Sequence, residues 1–161
     1  MRDLLRVLKA FGERDKYSLW ELSLKTGLPL LAVKKAIEKL VENGYAISDK
    51  GFYKLTERGK LLLEVAENLD RRGEPYIFTT ETGNPVPLSV NSLIQLYAII
   101  KYGLVDKEIF KDHVTKGFLG QWLKTVMKSP RLAEKFEKTV EKGEDFSFIL
   151  SLLEFLMGDS L

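Results

Sequence analysis

The only histidine of the chain, His113, lies close in sequence to three carboxylates, Asp106, Glu108 and Asp112. An imidazole beside carboxylates is the residue set of an acid–base catalyst or of a metal site. No cysteine accompanies them, so a metal would have only carboxylates as its other ligands. Helix capping and a solvated helix face account for these carboxylates more simply. We therefore expect no enzymatic activity, no metal site and no cofactor.

A second group of side chains that could do chemistry is cationic. Lys34 and Lys35 are adjacent, and Lys50 and Lys54 lie at and beyond a glycine-containing turn. Ammonium groups contact the phosphates of duplex DNA or the guanine edge in its major groove. Residues 1–72 carry 15 Lys and Arg against 11 Asp and Glu, a net charge of +4, whereas residues 73–161 carry 10 against 12, a net charge of −2. The basic surplus thus lies with these lysines, although solvated surface lysines need no function.

Two helices come before the adjacent lysines and must help to position them. Apolar residues repeat with helical spacing over about residues 3–12, which predicts the first helix. Ser18 and Glu21 have the spacing of a capping box. In a capping box the two side chains satisfy amides at a helix start, so the second helix is predicted over about residues 19–27.

The third helix carries Lys34 and Lys35 and is followed by a predicted β-hairpin. Pro29 is tolerated in its first turn, and Asn43-Gly44 predicts its end. Two short runs then flank the turn Asp49-Lys50-Gly51, and Thr56 is placed to cap a fourth helix that reaches about residue 70. The buried stripe predicted for the third helix is Val33, Ala36, Ile37 and Leu40, and the predicted strands are Tyr45–Ser48 and Phe52–Leu55.

Three segments together carry a resemblance to a known family. They are Ser18 to Leu28, then Val33 with Leu40 and Asn43-Gly44-Tyr45, and finally Tyr53 to Lys60. In this order and spacing, residues 1–72 resemble the winged-helix transcriptional regulators of bacteria and archaea. The resemblance implies a winged helix-turn-helix fold whose third helix and short wing contact duplex DNA. The DNA-binding residues would then be Lys34, Lys35, Glu38, Lys50 and Lys54.

The third helix starts with apolar residues where that family usually has polar ones. Leu30 and Leu31 cannot hydrogen-bond a base, although an apolar side chain can meet a thymine methyl group. Trp20 and Leu24 are i, i+4 neighbours on the second helix and are expected to face away from the core. The four side chains would form an exposed apolar patch, the usual mark of a protein interface. A protein–protein interaction module without DNA binding is therefore the alternative, unless tertiary packing covers them.

Residues 74–161 predict a second domain. A β-prone run at 76–80, a loop and a returning strand at 88–90 come before five short helices, which indicates a compact α-rich domain with a small hairpin. This half resembles a small family of domains of unknown function in archaea and bacteria, on Phe78, Ser92-Leu93, Phe110, His113, Gly117-Phe118, Gln121-Trp122-Leu123, Val126 and Leu132-Ala133. The resemblance implies a fold and no chemistry. We expect Trp122 to be a core anchor.

The last predicted helix, within Asp145 to Leu161, is apolar around most of its circumference. Such a helix is either central in its domain or shared between subunits. Because a terminal helix is easily left on the surface, we expect a homodimer with Phe148, Leu152 and Phe155 near its interface. A core helix that closes the domain is the alternative.

The predicted protein is mainly α with small β-hairpins. It has a winged helix-turn-helix domain over residues 1–72 and a compact α-rich domain over residues 74–161 for dimerisation or effector binding. The expected function is DNA-binding transcription regulation in the cytoplasm. Its expected partners are double-stranded DNA, a second copy, and a small-molecule or protein effector. No membrane partner is expected, because no apolar stretch approaches the roughly 18 residues that span a bilayer.

Overall fold

The computed structural model describes residues 2–12 and 14–158. The chain folds into two compact units. Unit 1 comprises Met1–Glu67 and Leu156–Leu161, and unit 2 comprises Asn68–Phe155. The described residues form nine α-helices and two antiparallel hairpins, which confirms the prediction of a mainly α protein with small hairpins. None of these helices combines the length and the apolar character that crossing a bilayer requires.

Unit 1 begins with three helices, α1 (Arg2–Ala10), α2 (Leu19–Thr26) and α3 (Leu30–Glu42). Each of the three contacts the other two. Their shared core consists of side chains that are fully buried, among them Val7, Leu8, Leu22, Val33 and Leu40. Val33, Ala36, Ile37 and Leu40 are the buried side of α3, as predicted.

The predicted start of α2 and end of α3 are confirmed. Ser18 Oγ accepts from the backbone N–H of Glu21 at 3.1 Å, and Glu21 Oε1 accepts from the N–H of Ser18 at 3.0 Å. The capping box is therefore complete. Pro29 occupies the N-cap of α3, one position before the helix. Gly44 has a φ of +79°, the left-handed conformation that favours glycine after a helix.

A two-residue turn joins β1 (Ala46–Asp49) to β2 (Phe52–Leu55). Asp49 pairs with Phe52, and the intervening Lys50 and Gly51 have φ values of +52° and +84°. Positive φ at both positions is typical of the type I′ turn, whose twist matches that of the flanking strands. The hairpin is therefore tight, and Lys50 lies at its tip.

A third extended segment, at Tyr17, joins this hairpin. The N–H of Tyr17 donates to the carbonyl of Tyr53 at 2.9 Å, and the N–H of Tyr53 donates to the carbonyl of Tyr17 at 2.7 Å. The Lys16 ammonium group also pairs with the Asp49 carboxylate. The segment before α2 is thus fixed to both strands of the hairpin, a connection that no pattern in the sequence predicts.

The fourth helix, α4 (Glu57–Asn68), begins in close contact with the hairpin. Thr56 Oγ1 accepts from the N–H of Gly59 at 3.1 Å, so Thr56 caps the helix as predicted. Gly59 lies so close to Tyr45 that a Cβ atom added to it would be 1.9 Å from the Tyr45 carbonyl oxygen. Only glycine fits there, and it allows α4 to start directly beneath the hairpin.

Unit 2 has the predicted order of one hairpin followed by five helices. Strand β3 (Tyr76–Thr79) pairs with β4 (Pro85–Val90) in antiparallel register with one irregularity. Ser92 and Asp106 cap the first two helices through the N–H groups of Gln95 and Glu108. The five helices are α5 (Leu93–Tyr102), α6 (Lys107–Thr115), α7 (Phe118–Thr125), α8 (Pro130–Glu141) and α9 (Ser147–Met157), of which α9 belongs to unit 2 up to Phe155.

Aromatic rings fill much of the core of unit 2. Phe78 stacks on Phe110 with ring centroids 5.5 Å apart, and Phe110 contacts Phe136 at 5.9 Å. Trp122 is 7% exposed, and its indole N–H donates to the carbonyl of Glu74 at 2.8 Å. The prediction that Trp122 is a core anchor is confirmed.

Helix α9 differs from the prediction at one interface residue. Leu152 is 3% exposed in the single chain, so its side chain packs in the interior and is not available to a second copy. Phe148 and Phe155 are half-buried, and the Phe148 ring contacts Phe136 at 5.0 Å. The last three residues of the predicted helical segment, 159–161, lie outside the described residues.

Candidate nucleic-acid interface

Helix α3 presents one solvent-exposed face in unit 1. Leu31, Lys34, Lys35 and Glu38 are exposed, and positions three and four apart on a helix are neighbours on its surface. The opposite side of α3 is buried against α1 and α2. Packing of the buried stripe therefore fixes which way the two lysines point. We call the four exposed residues the α3 face.

The α3 face carries two cations and one anion. Among the described residues, Lys34, Lys35 and Glu38 form no salt bridge. Two adjacent ammonium groups thus stand beside a single carboxylate one turn further along the helix. The arrangement attracts anions at the start of α3 and less so toward its end.

The hairpin contributes a further exposed cation. Lys50 is exposed at the tip, and Lys54 is half-buried on β2. The Lys16 ammonium group beside Asp49 holds the pKa of that carboxyl below its ordinary value. Because Asp49 already has a cationic partner, it does not cancel the charge of Lys50. Of the two lysines predicted here, Lys50 is the better placed to contact an external anion.

Arg58 is occupied by internal contacts that the sequence analysis did not predict. Its guanidinium group lies 4.7 Å from the centre of the Tyr45 ring and donates to the carbonyl of Asn43 at 3.1 Å. These contacts join the end of α3 to the start of α4. The residues that make these contacts are visible in the sequence as Asn43-Gly44-Tyr45 and Thr56-Glu57-Arg58-Gly59. Because the two segments are separated in sequence, only the fold brings them together.

Three of the four side chains predicted to form an apolar patch are exposed. Trp20 is 67% exposed, Leu24 is 83% exposed and Leu31 is 64% exposed, whereas Leu30 is half-buried. Leu30 is therefore less exposed than the other three side chains. Adjacent residues on a helix point about 100° apart, so packing one leucine inward leaves the other in solvent.

A shallow groove of about 460 Å³ also borders the α3 face. Leu31, Lys35 and Lys39 line it from α3, and Asp3 and Leu4 line it from α1. Its lining combines apolar side chains with two lysines and the Asp3 carboxylate. Leu31 and Lys35 therefore belong both to this groove and to the α3 face.

His113 has a structural role in unit 2. It is 3% exposed, its Nδ1 atom hydrogen-bonds the Tyr76 hydroxyl, and its Nε2 atom lies 3.0 Å from both the backbone N and the carbonyl O of Thr79. The imidazole thus holds β3 against α6. Burial raises the pKa of Tyr76. No group of three or more potential ligands in the described part of the chain is arranged to hold a metal ion.

Unit 2 also contains a cavity of about 390 Å³. Its apolar lining includes Ile99, Phe110 and Leu150. Charges of both signs surround it, with Lys107, Lys111, Glu108, Glu144 and Asp145 in the lining. Because the signs are mixed, the cavity does not select one ligand chemistry, and the predicted effector stays a prediction.

The comparisons with known proteins assign no family to this arrangement. No protein-family model matches the chain, and no curated protein shows significant similarity to it.

Proposed function

We propose that unit 1 binds duplex DNA and that the protein is a transcriptional regulator of the cytoplasm. The order α1, α2, α3, β1, β2, α4 supports this proposal because it is the order expected of a winged helix-turn-helix domain, in which the third helix would enter the major groove and the hairpin would serve as a wing. The observation that carries the proposal is the pair of exposed lysines, Lys34 and Lys35, which form no salt bridge among the described residues.

The dimensions of α3 support this proposal. With 13 residues and a rise of about 1.5 Å per residue, α3 is about 20 Å long. The major groove is roughly 12 Å wide, which admits one helix. Lys34 and Lys35 would reach phosphates or guanine edges, and Lys50 on the wing would reach a neighbouring phosphate. Glu38 would accept from a cytosine amino group, the donor that carboxylates recognise in this groove.

The test is a salt titration of binding to random-sequence duplex DNA, followed by fluorescence anisotropy of labelled DNA. Each phosphate contact contributes about −0.9 to the slope of log affinity against log salt concentration. The double variant Lys34→Ala/Lys35→Ala should flatten the slope by up to about 1.8. The matched control Lys124→Ala/Lys142→Ala removes the same two charges from exposed positions of unit 2 and should leave the slope unchanged.

Two results would contradict the proposal. One is an absence of duplex binding by the parent protein at low salt. The other is an equal slope for the parent and the α3 double variant while both remain folded by circular dichroism. The second result would remove α3 from the interface even if the protein binds DNA elsewhere.

A protein-interaction module is the second candidate, and the exposure of Trp20 and Leu24 favours it. These two side chains lie one turn apart on α2, and both are more than half exposed. Exposed apolar side chains that cluster on a surface mark protein interfaces. Replacing Leu24 with Ser would then abolish binding of a protein partner and leave duplex binding intact.

We also propose a homodimer, with the half-buried Phe148 and Phe155 as the remaining candidates for its interface. Two-fold dimers suit proteins that read palindromic DNA half-sites. Light scattering of the intact chain at micromolar concentration should give the mass of a dimer. A monomer mass would refute the dimer and leave the duplex-binding proposal untouched.

A further inference from the structure

The first turn of α3 offers only one exposed side chain that could meet a base. Pro29 is exposed but is the N-cap and precedes the helix. Within the first turn Leu30 and Ala32 are half-buried, and Leu31 is 64% exposed. Residues in the first turns of a recognition helix are the ones that contact base edges. Leu31 has no hydrogen-bonding group, so any recognition at this position must be apolar.

The largest apolar group on the base edges of the major groove is the C5 methyl group of thymine. The other features there are hydrogen-bond donors and acceptors and small C–H groups such as the C5–H of cytosine, which offer less apolar surface. Placing Leu31 against a donor or acceptor would strip water from that group without replacing its hydrogen bond, which is unfavourable. Placing it against a methyl group removes two apolar surfaces from water.

Lys34 and Lys35 follow Leu31 by three and four residues, so they lie on the next turn of the same face. A ligand that satisfies the whole face must therefore be an anion with an apolar group close to its charges. Duplex DNA rich in thymine meets both requirements, since phosphates border the groove in which the methyl groups lie.

We propose that Leu31 is a specificity-determining residue that reads the C5 methyl group of thymine. This inference rests on the proposed duplex binding by unit 1. It assigns sequence-independent affinity to contacts of the lysines with phosphates. It adds a preference for thymine, read by Leu31, to any reading of guanine by the lysines or of cytosine by Glu38. The preferred sites are consequently those with thymine facing the start of α3.

The probe is a pair of duplexes that differ only in methyl groups, alternating dA·dT and alternating dA·dU. Uracil keeps the hydrogen-bonding groups of thymine and lacks the methyl. The parent protein should bind the thymine duplex about fourfold more tightly for each methyl group contacted, the ratio that corresponds to burying one methyl-sized group.

The variant Leu31→Ala isolates this contact from other differences between the two duplexes. It should lower the affinity ratio toward one, because any effect of uracil on the DNA itself is the same for parent and variant. Its salt slope should equal that of the parent, since no cation is removed. The matched control Leu24→Ala shortens a leucine that is more exposed, at 83%, on α2, and it should keep the parent's ratio.

The outcomes separate this inference from the function on which it rests. Duplex binding with a normal salt slope and equal affinity for the two duplexes would overturn the role of Leu31 and leave DNA binding standing. An unchanged ratio in Leu31→Ala would overturn it as well. An absence of binding to either duplex would overturn both proposals, whereas a ratio that Leu31→Ala alone abolishes supports the inference.

Discussion

Replacing Gly59 with Ala should destabilise unit 1, although alanine is the better helix former. In most helices this change stabilises by about 0.5–1 kcal/mol, because glycine loses more backbone entropy on folding. At Gly59 the new Cβ atom would lie 1.9 Å from the Tyr45 carbonyl oxygen, where ordinary contact begins at 3.4 Å. The start of α4 must therefore move by about 1.5 Å from a backbone atom that cannot rotate away.

The size of the effect follows from what that movement disturbs. Overpacking a well-packed site costs about 1–3 kcal/mol. The same Tyr45 carbonyl accepts from the N–H of Thr56 at 3.0 Å, and losing this hydrogen bond costs about 1 kcal/mol. After the gain in helix propensity is subtracted, the free energy of unfolding of unit 1 should fall by about 1–3 kcal/mol.

Gly120 provides the matched control in unit 2. It also lies within a helix, but the one close contact of its added Cβ would be Glu137 Oε1 at 2.9 Å, the far end of a flexible side chain, and the next atoms lie at 3.9 Å. Gly120→Ala should therefore be neutral or stabilise by up to about 1 kcal/mol. Hydrogen exchange measured by mass spectrometry reports the two units separately, through peptides from α1–α3 and from α7–α8. Equal protection of α1–α3 in Gly59→Ala and in the parent would refute the reasoning.

Two further predictions concern charged groups of unit 1. The backbone N–H of Ser18 and the guanidinium group of Arg14 lower the pKa of Glu21. The ionised Glu21 carboxylate therefore stabilises the fold fully above the pKa that glutamate has in the unfolded chain, about 4.3. This stabilisation is lost as the pH falls through the lower pKa that Glu21 has in the folded protein. Exchange protection of α2 should fall over this acidic range, and a fall of the same size in Glu21→Gln would contradict the assignment. Replacing Lys50, whose φ is +52°, with Asn should stabilise the hairpin by several tenths of a kcal/mol, because asparagine tolerates the left-handed conformation. The same variant should flatten the salt slope of duplex binding by about 0.9, and an unchanged slope would exclude contact through the wing.

Helix ends could be predicted from the sequence because one or two neighbouring residues decide each of them. The reciprocal hydrogen bonds of Ser18 and Glu21 start α2, and positive φ values at Gly27 and Gly44 follow the ends of α2 and α3. These are local choices, and tertiary packing leaves them unchanged. The bridge between Tyr17 and Tyr53 joins residues distant in sequence, and the charged residues before Tyr17 give no alternating pattern. Only packing of the hairpin against that segment reveals it.

At the candidate site, too, the sequence could predict what depends on local pattern but not what depends on tertiary packing. The sequence could place Lys34 and Lys35 on the exposed side of α3, because the buried stripe of that helix is unambiguous. It could not decide between Leu30 and Leu31, since the first turn lies at the edge of the stripe and the packing of unit 1 decides which leucine turns inward. The burial of Leu152 was equally inaccessible, because a helix that is apolar all round gives no preferred face.

Each unit contains one of the two tryptophans of the chain, and their surroundings are opposite. Trp20 in unit 1 is 67% exposed, whereas Trp122 in unit 2 is 7% exposed and hydrogen-bonded. An indole in water emits at longer wavelength than a buried one and is reached by soluble quenchers such as acrylamide. The protein therefore carries an intrinsic fluorophore for each unit. Binding at the surface of α2 should alter the quenchable, red-shifted emission of Trp20. Loosening of unit 2 should shift the protected, blue emission of Trp122, and neither measurement needs an added label.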